Sequence, residues 1–318
     1  MRDGSTEHLK NFLSDAYSIE QQALAQMRTA PDIAGGPMLS RHFREHLVET
    51  ERQAEMVKDR LEAVGGSPSK VKDAVMRLGG KGFLLFARIQ PDTPGKLATH
   101  AHSYEALELA SHEMLIRMAQ RAGDDVTARV AATIRDQERA MRDRLAGDFD
   151  EAVDASLRAL GKEASETLDT YLADAHALEE QSIQLLERGE KMAGDPVLTR
   201  LYGEHLEESR KHAKLIEDRL EAMDESTSAV KDAGLRVGAL NWSLFFTAQG
   251  DTAAKLAAFV YAVEHLEIAG YELLRRVAQR AGDAATVQLA DGILVDERAM
   301  AERVYGAFDR AFEASMRE

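Results

Sequence analysis

The residues able to do chemistry in this chain are glutamates set at helical spacing among apolar side chains. The stretch VEHLEIAGYELL, Val263 to Leu274, carries Glu264 and Glu267 three residues apart on a segment otherwise suited to burial. Corresponding acids recur along the chain. Glu20 follows Leu13 and Ala16 at 3,4 spacing and precedes Leu24 and Met27, and Glu179 sits likewise between Leu172, Ala175, Ile183 and Leu186. Glu138 interrupts the stripe Thr127, Ala131, Ile134, Met141, Leu145, Phe149, as Glu297 interrupts Thr286, Ala290, Ile293, Met300, Val304, Phe308. Glu105 and Glu108 match Glu264 and Glu267, with His112 and Tyr271 four residues beyond the second acid of each pair. A fourth pattern joins His46, Glu49 and Gln53 to Leu39, Phe43 and Val57, and His205, Glu208 and His212 to Leu198, Tyr202 and Ile216. Offsets of three and seven hold those polar groups within about 60° of one another around a helix axis.

Several carboxylates cannot share a dry interior unaided. Desolvating one unpaired carboxylate costs several kcal/mol, and two charges 4 Å apart repel by about 4 kcal/mol at an effective dielectric near 20. A pair of divalent metal ions bridged by carboxylates, with histidine completing the coordination, resolves the conflict in a helical bundle. The expected ligands are Glu20, His46, Glu49, Gln53, Glu105, Glu108 and Glu138, and again Glu179, His205, Glu208, His212, Glu264, Glu267 and Glu297. Glu45, Glu204, Glu113 and Glu272 recur in both sets but are expected to be ordinary solvated charges, and the methionines to be core filler. For His46 and His205 the competing expectation is a core imidazole bonded to a carbonyl.

The elements that must position these groups are written twice. Shifted by 159 residues, 11–150 aligns with 170–309 without a gap and with 60 identical positions out of 140. VKDA recurs at Val71 and Val230, DRLEA at Asp59 and Asp218, and QRAGD at Gln120 and Gln279. The chain is therefore expected to form two domains, 1–160 and 161–318, packed as an internal pseudo-dimer. Helix punctuation is legible in each: Gly35-Gly36-Pro37 and Gly194-Asp195-Pro196 open one helix, and Gly123-Asp124 and Gly282-Asp283 close one and cap the next. These signals predict helices over 6–32, 37–64, 93–122 and 124–160, repeated 159 residues later. Roughly 28 residues link the second helix to the third and contain the short apolar runs near Phe83 and Trp242. A link of that length suits a crossover bundle better than a simple up-and-down one.

Bulk properties narrow the function. With 318 residues, 44% hydrophobic content and only six prolines, an all-α protein is expected. A formal net charge of −15 disfavours nucleic acid or an anionic membrane as partner, and attracts cations. The absence of cysteine removes disulfides, thiolate metal sites and a thiol nucleophile. Neither a cleaved secretory signal nor a spanning segment is legible, so a cytoplasmic location is expected.

DAYSIEQQ and DAHALEEQ, EHLVETERQ and EHLEESRKH, VEHLEIAGYELL and DERAM together resemble the ferritin-like superfamily, specifically the YciE/YciF-type bacterial stress proteins, over about 140 residues of each half. The resemblance implies two tandem ferritin-like four-helix bundles, usually dimeric, each with a rubrerythrin-like di-iron centre and a link to stress. Departures are visible. Ferritin-type sites place His three residues after Glu, whereas Arg52 follows Glu49, Lys211 follows Glu208, and Met follows Glu138 and Glu297 at that spacing. The histidines lie three residues before Glu49 and Glu208 instead, and the second unit, with His212 and Tyr271, fits the family pattern better. Three functions stay open: a di-metal protein, with about two Fe per unit (or Mn), that oxidises Fe(II) or reduces O2 or peroxide; a non-catalytic stress or scaffold protein whose buried acids pair with arginine or stay protonated; and a manganese catalase-like enzyme. Further homo-oligomers of the internal pseudo-dimer are compatible with all three.

Overall fold

The computed structural model describes residues 2–68, 93–223 and 252–317, and the apolar runs near Phe83 and Trp242 and both VKDA repeats lie outside them. The chain divides into two compact units, Met1–Leu160 and Gly161–Glu318. Among the described residues there is no strand. The protein is all-α with an internal duplication.

Unit 1 is built from α1 (Arg2–Met27), α2 (Ala30–Ile33), α3 (Pro37–Ala63), α4 (Thr93–Ala122), α5 (Asp125–Gly147) and α6 (Phe149–Leu160). Unit 2 contains a 3₁₀ turn (Ala164–Glu166), then α7 (Leu168–Met192), α8 (Pro196–Glu221), α9 (Thr252–Ala281), α10 (Ala284–Gly306) and α11 (Phe308–Ser315). In unit 1 the long helices pack in the cyclic order α1, α3, α5, α4, and in unit 2 in the order α7, α8, α10, α9. Each long helix thus turns one apolar stripe to a shared interior. The stripe read from α5 is the set it buries: Thr127, Ala131, Ile134, Glu138, Met141 and Leu145.

Side-chain ties give the direction of each helix. His42 near the start of α3 meets Asp148 at the end of α5 at 2.5 Å, and Arg60 near the end of α3 meets Asp124 before α5 at 2.9 Å, so α3 and α5 are antiparallel. Pro94, at the start of α4, touches Gly35 in the turn before α3, so α3 and α4 begin at the same end. The connection from residue 63 to 93 therefore joins opposite ends of the bundle, the crossover arrangement that its length predicts. Gly35 needs its glycine twice over: its φ is +70°, and an added Cβ would lie 2.7 Å from Pro94 Cγ.

Two expected helices differ. The one predicted over 6–32 breaks after Met27, where Pro31 cannot continue a helix and instead sits at the start of α2. Glu190 holds that position in unit 2, and α7 runs unbroken to Met192. The helix predicted over 124–160 breaks at Asp148, after Gly147, and its counterpart breaks at Ala307, after Gly306. The break turns α6 and α11 across the end of the bundle and fully buries Phe149 and Phe308. From there Ser156 Oγ accepts the Gly95 N–H at 2.8 Å and Ser315 Oγ the Ala254 N–H at 2.8 Å, satisfying free donors at the starts of α4 and α9.

Candidate metal centre

Three of the four long helices of each unit bring glutamates to one place, and the fourth, α3 or α8, brings a histidine to it. Glu20, Glu105, Glu108 and Glu138 are all buried, as are Glu179, Glu264, Glu267 and Glu297. Glu105 and Glu264 are as buried as Glu108 and Glu267. In unit 1 His46, Glu105, Glu108 and Glu138 offer ligand atoms within 4.8 Å of one another, and in unit 2 so do His205, Glu264, Glu267 and Glu297. A third group, Glu179, His212 and Glu297, shares Glu297 with the second.

The histidines are aimed. His46 Nδ1 lies 3.0 Å from Glu49 Oε2, which leaves Nε2 turned inward, 3.1 Å from Glu105 Oε2 and 3.4 Å from Glu138 Oε2. His205 repeats this with Glu208 at 3.2 Å, Glu264 at 3.0 Å and Glu297 at 3.7 Å. The expected carbonyl partner of a core histidine is absent from these contacts. An outer carboxylate on one ring nitrogen, freeing the other for the interior, is how proteins orient metal-binding imidazoles.

Glu49 and Glu208, expected as ligands, thus lie outside the cluster. Their side chains are 30% and 38% exposed, and Glu49 also accepts a bond from Arg144 at 3.0 Å. The hydrogen bond from His46 holds the Glu49 carboxyl below its usual range. Glu49 and Glu208 lie about 60° around the helix from His46 and His205, which takes them to the bundle seam although His46, Thr50 and Gln53 on the same turns are buried. Gln53 is buried and donates to Glu138 Oε1 at 2.5 Å and to Gln137 Oε1 at 3.2 Å. His212 stands in the same relation to unit 2, with Nδ1 2.9 Å from Glu297 Oε1 and Nε2 3.3 Å from Asp296 Oδ2. Of the other expected residues, His46, Glu105, Glu108 and Glu138, and Glu179, His205, His212, Glu264, Glu267 and Glu297, fall in these donor groups, while Glu20 and Gln53 are buried beside them, against His112 and Glu138 respectively.

Two groups outside the expected ligand set complete the surroundings of the α1 and α7 glutamates. His112 Nε2 lies 3.0 Å from Glu20 Oε1, and the Tyr271 hydroxyl donates to Glu179 Oε1. Both stand four residues beyond Glu108 and Glu267, on the same helix face, and that spacing was signal enough to include them.

The cluster is left unneutralised by the chain. Among the described residues no lysine or arginine pairs with any of the eight glutamates; their ion-pair partners are histidines. Both oxygens of Glu105, Glu108, Glu264, Glu267 and Glu297 lack a hydrogen-bond partner, as do Nε2 of His46 and His205 and Nδ1 of His212. Glu113 and Glu272 show the contrast. Expected as solvated, they are buried instead, and each is clamped by guanidinium groups: Arg117 at 2.6 Å and Arg135 at 3.1 Å on Glu113, and Arg275 at 2.7 Å, Arg276 and Arg298 on Glu272. Glu45 and Glu204 are exposed as expected.

Burial pushes Glu105 and Glu264 up to about 8, against the pull of His46 and His205. Glu179 rises to about 7, and Glu108 and Glu267 move well above the carboxylate range, all through burial and then neighbouring carboxylates. Burial alone would lower His205 and His212, but the carboxylates around them outweigh it and raise both to about 10. Without a cation the cluster therefore retains protons at neutral pH. Buried, convergent, mutually repelling and short of donors, these oxygens and imidazoles fit a cation held between them.

A family described as a domain of unknown function, DUF892, matches the chain twice, over residues 5–158 and 163–316. No solved structure matches it. Among the described residues no helix is long and apolar enough to cross a membrane.

Proposed function

The chain belongs to the DUF892 family, carrying its domain twice, and from that premise we propose that each unit is a ferritin-like bundle holding a dinuclear metal centre of the di-iron carboxylate type. The single observation that carries this reading is made in unit 2, where Glu297 is shared by two donor groups, one completed by His205, Glu264 and Glu267 and the other by Glu179 and His212. Unit 1 repeats the first group with His46, Glu105, Glu108 and Glu138, and the reading extends to it through the duplication. His205, Glu264, Glu267 and Glu297 would hold one ion, and Glu179, His212 and Glu297 a second. Four carboxylates supply four negative charges, which two divalent cations balance.

Iron is the proposed metal, since carboxylate and imidazole donors suit it; manganese takes the same donors. When bound, such a pair supplies redox chemistry of the kind that oxidises Fe(II) or reduces peroxide, and the proposed role is in iron handling or oxidative stress. The chain's own contribution is positional and electrostatic. Glu49 and Glu208 hold the imidazoles in register, the glutamates exchange protons for cations as the site loads, and the apolar stripes above and below keep water out. A scaffold role would need the interior acids matched to arginines or kept protonated; the clamps on Glu113 and Glu272 are what the first kind of neutralisation looks like in this protein, and the interior acids lack it.

Elemental analysis of the full chain after anaerobic Fe(II) loading tests the reading. The expected result is about two metal ions per unit, with Glu297→Ala removing those of unit 2 and leaving those of unit 1. A chain that takes up no Fe or Mn overturns it.

A further inference from the structure

Among the described residues a second donor group, Glu179, His212 and Glu297, converges in unit 2, and the corresponding residues of unit 1 are arranged differently. In unit 2 the imidazole comes from α8: His212 Nδ1 faces Glu297 Oε1 at 2.9 Å and Glu179 Oε1 at 3.5 Å, while the Tyr271 hydroxyl from α9 donates to Glu179 Oε1. In unit 1 the residue in the His212 position is Gln53, which makes the equivalent contact to Glu138 Oε1. The residue in the Tyr271 position is His112, which makes the equivalent contact to Glu20 Oε1 at 3.0 Å. Imidazole and non-imidazole have changed places across one pair of carboxylates.

We propose that His112 supplies to unit 1 the imidazole that His212 supplies to unit 2, so that the second histidine of the centre has moved from one helix to another between otherwise equivalent sites. The inference rests on the metal reading above and extends it to the ligand composition of unit 1. His112 is buried, its Nε2 faces Glu20, and the other oxygen of Glu20 has no partner. With His112 counted, each unit offers four glutamates and two histidines: Glu20, Glu105, Glu108, Glu138, His46 and His112 against Glu179, Glu264, Glu267, Glu297, His205 and His212. Without it, unit 1 would hold its second cation on carboxylates and an amide oxygen alone, a harder donor set with a different metal preference.

The exchange can be reversed by substitution in the full chain. Co(II) is the probe, followed by calorimetry and by its visible absorption, in protein carrying Glu264→Gln and Glu297→Gln so that binding reports on unit 1. His112→Tyr and, with less bulk, His112→Gln are expected to weaken Co(II) at one position of unit 1 by ~tenfold or more and to shift its absorption. Adding Gln53→His to His112→Tyr rebuilds the unit 2 arrangement and is expected to restore both. Unchanged affinity and absorption in the two single variants, with Co(II) still bound, overturns the role of His112 and leaves the metal centre standing. A loss that Gln53→His does not repair overturns the exchange. No Co(II) bound by the unsubstituted chain, after Fe(II) and Mn(II) have also failed, sinks the metal reading and this inference with it.

Discussion

Unit 1 and unit 2 bury the same glutamates at the same helical positions but surround them differently, and the differences come in compensating pairs. Gln53 and His112 answer His212 and Tyr271 around the carboxylates. At the end of the bundle Gly36 and Glu151 answer Asp195 and Arg310. Glu151 reaches from α6 to accept the N–H groups of Met38 and Leu39 at 3.2 and 2.7 Å, capping α3 from 112 residues away. In unit 2 Asp195 caps α8 from within, accepting from Val197 at 2.9 Å and Leu198 at 3.3 Å, and Arg310 turns to that acid at 3.3 Å. What the fold requires is a filled donor set and a satisfied helix end, and more than one placement of residues supplies it.

The largest effect expected to sharpen the comparison concerns the interior acids in metal-free protein. Glu108→Leu and Glu267→Leu each remove a carboxyl whose two oxygens have no partner, so both are expected to raise stability, by roughly 1–3 kcal/mol. For units of this size that corresponds to a rise of roughly 2–4 °C in Tm per kcal/mol. Glu272→Leu, which strips the carboxylate from its arginine clamp, is expected to lower Tm. Thermal denaturation in chelator reads all three, and opposite signs at Glu108 and Glu267 would break the equivalence of the units.

A smaller effect separates them. Arg144 holds Glu49, which orients His46, whereas Arg303 in the same position pairs with Glu204 at the surface. Arg144→Gln is therefore expected to weaken metal binding in unit 1 by about tenfold, and Arg303→Gln to leave unit 2 unchanged, as read by Fe(II) titration. Equal losses in both would mean that Glu204 also bears on its site. The smallest effect is at the caps. A Cβ on Gly36 would lie 2.5 Å from Glu151 Cδ, so Gly36→Asp is expected to cost about 1 kcal/mol, and adding Glu151→Arg to recover most of it. Failure of the pair to recover would show that α3 depends on the distant cap.

Much of this was legible in the residues themselves. Stripes with a period near 3.6 located the helices and placed Glu20, Glu138, Glu179 and Glu297 inside, because a buried face shows as an interruption when it carries charge. Helix periodicity places a residue on a face but does not say where the buried part of that face ends, which is why Glu49 and Glu208, about 60° from their histidines, were expected among the ligands and lie at the seam. The same limit hid Glu113 and Glu272: their arginines come from the same helix and from the next one, and only packing shows that all converge on a buried carboxylate. The last helix was expected to run unbroken through Gly147 and Gly306, because an isolated glycine is only a weak helix former and does not reveal that the chain turns there to cover the bundle's end.

The doubling of the unit within one polypeptide has a consequence for how such a site changes over time. In an assembly of two identical chains every substitution strikes both sites together, so a histidine could not leave one helix before its replacement had arrived on another without emptying both. Here each copy is encoded separately. One half can drift through a defective intermediate while its sibling keeps working, and the imidazole that stands on α4 in one half and on α8 in the other is the kind of relocation that this redundancy permits.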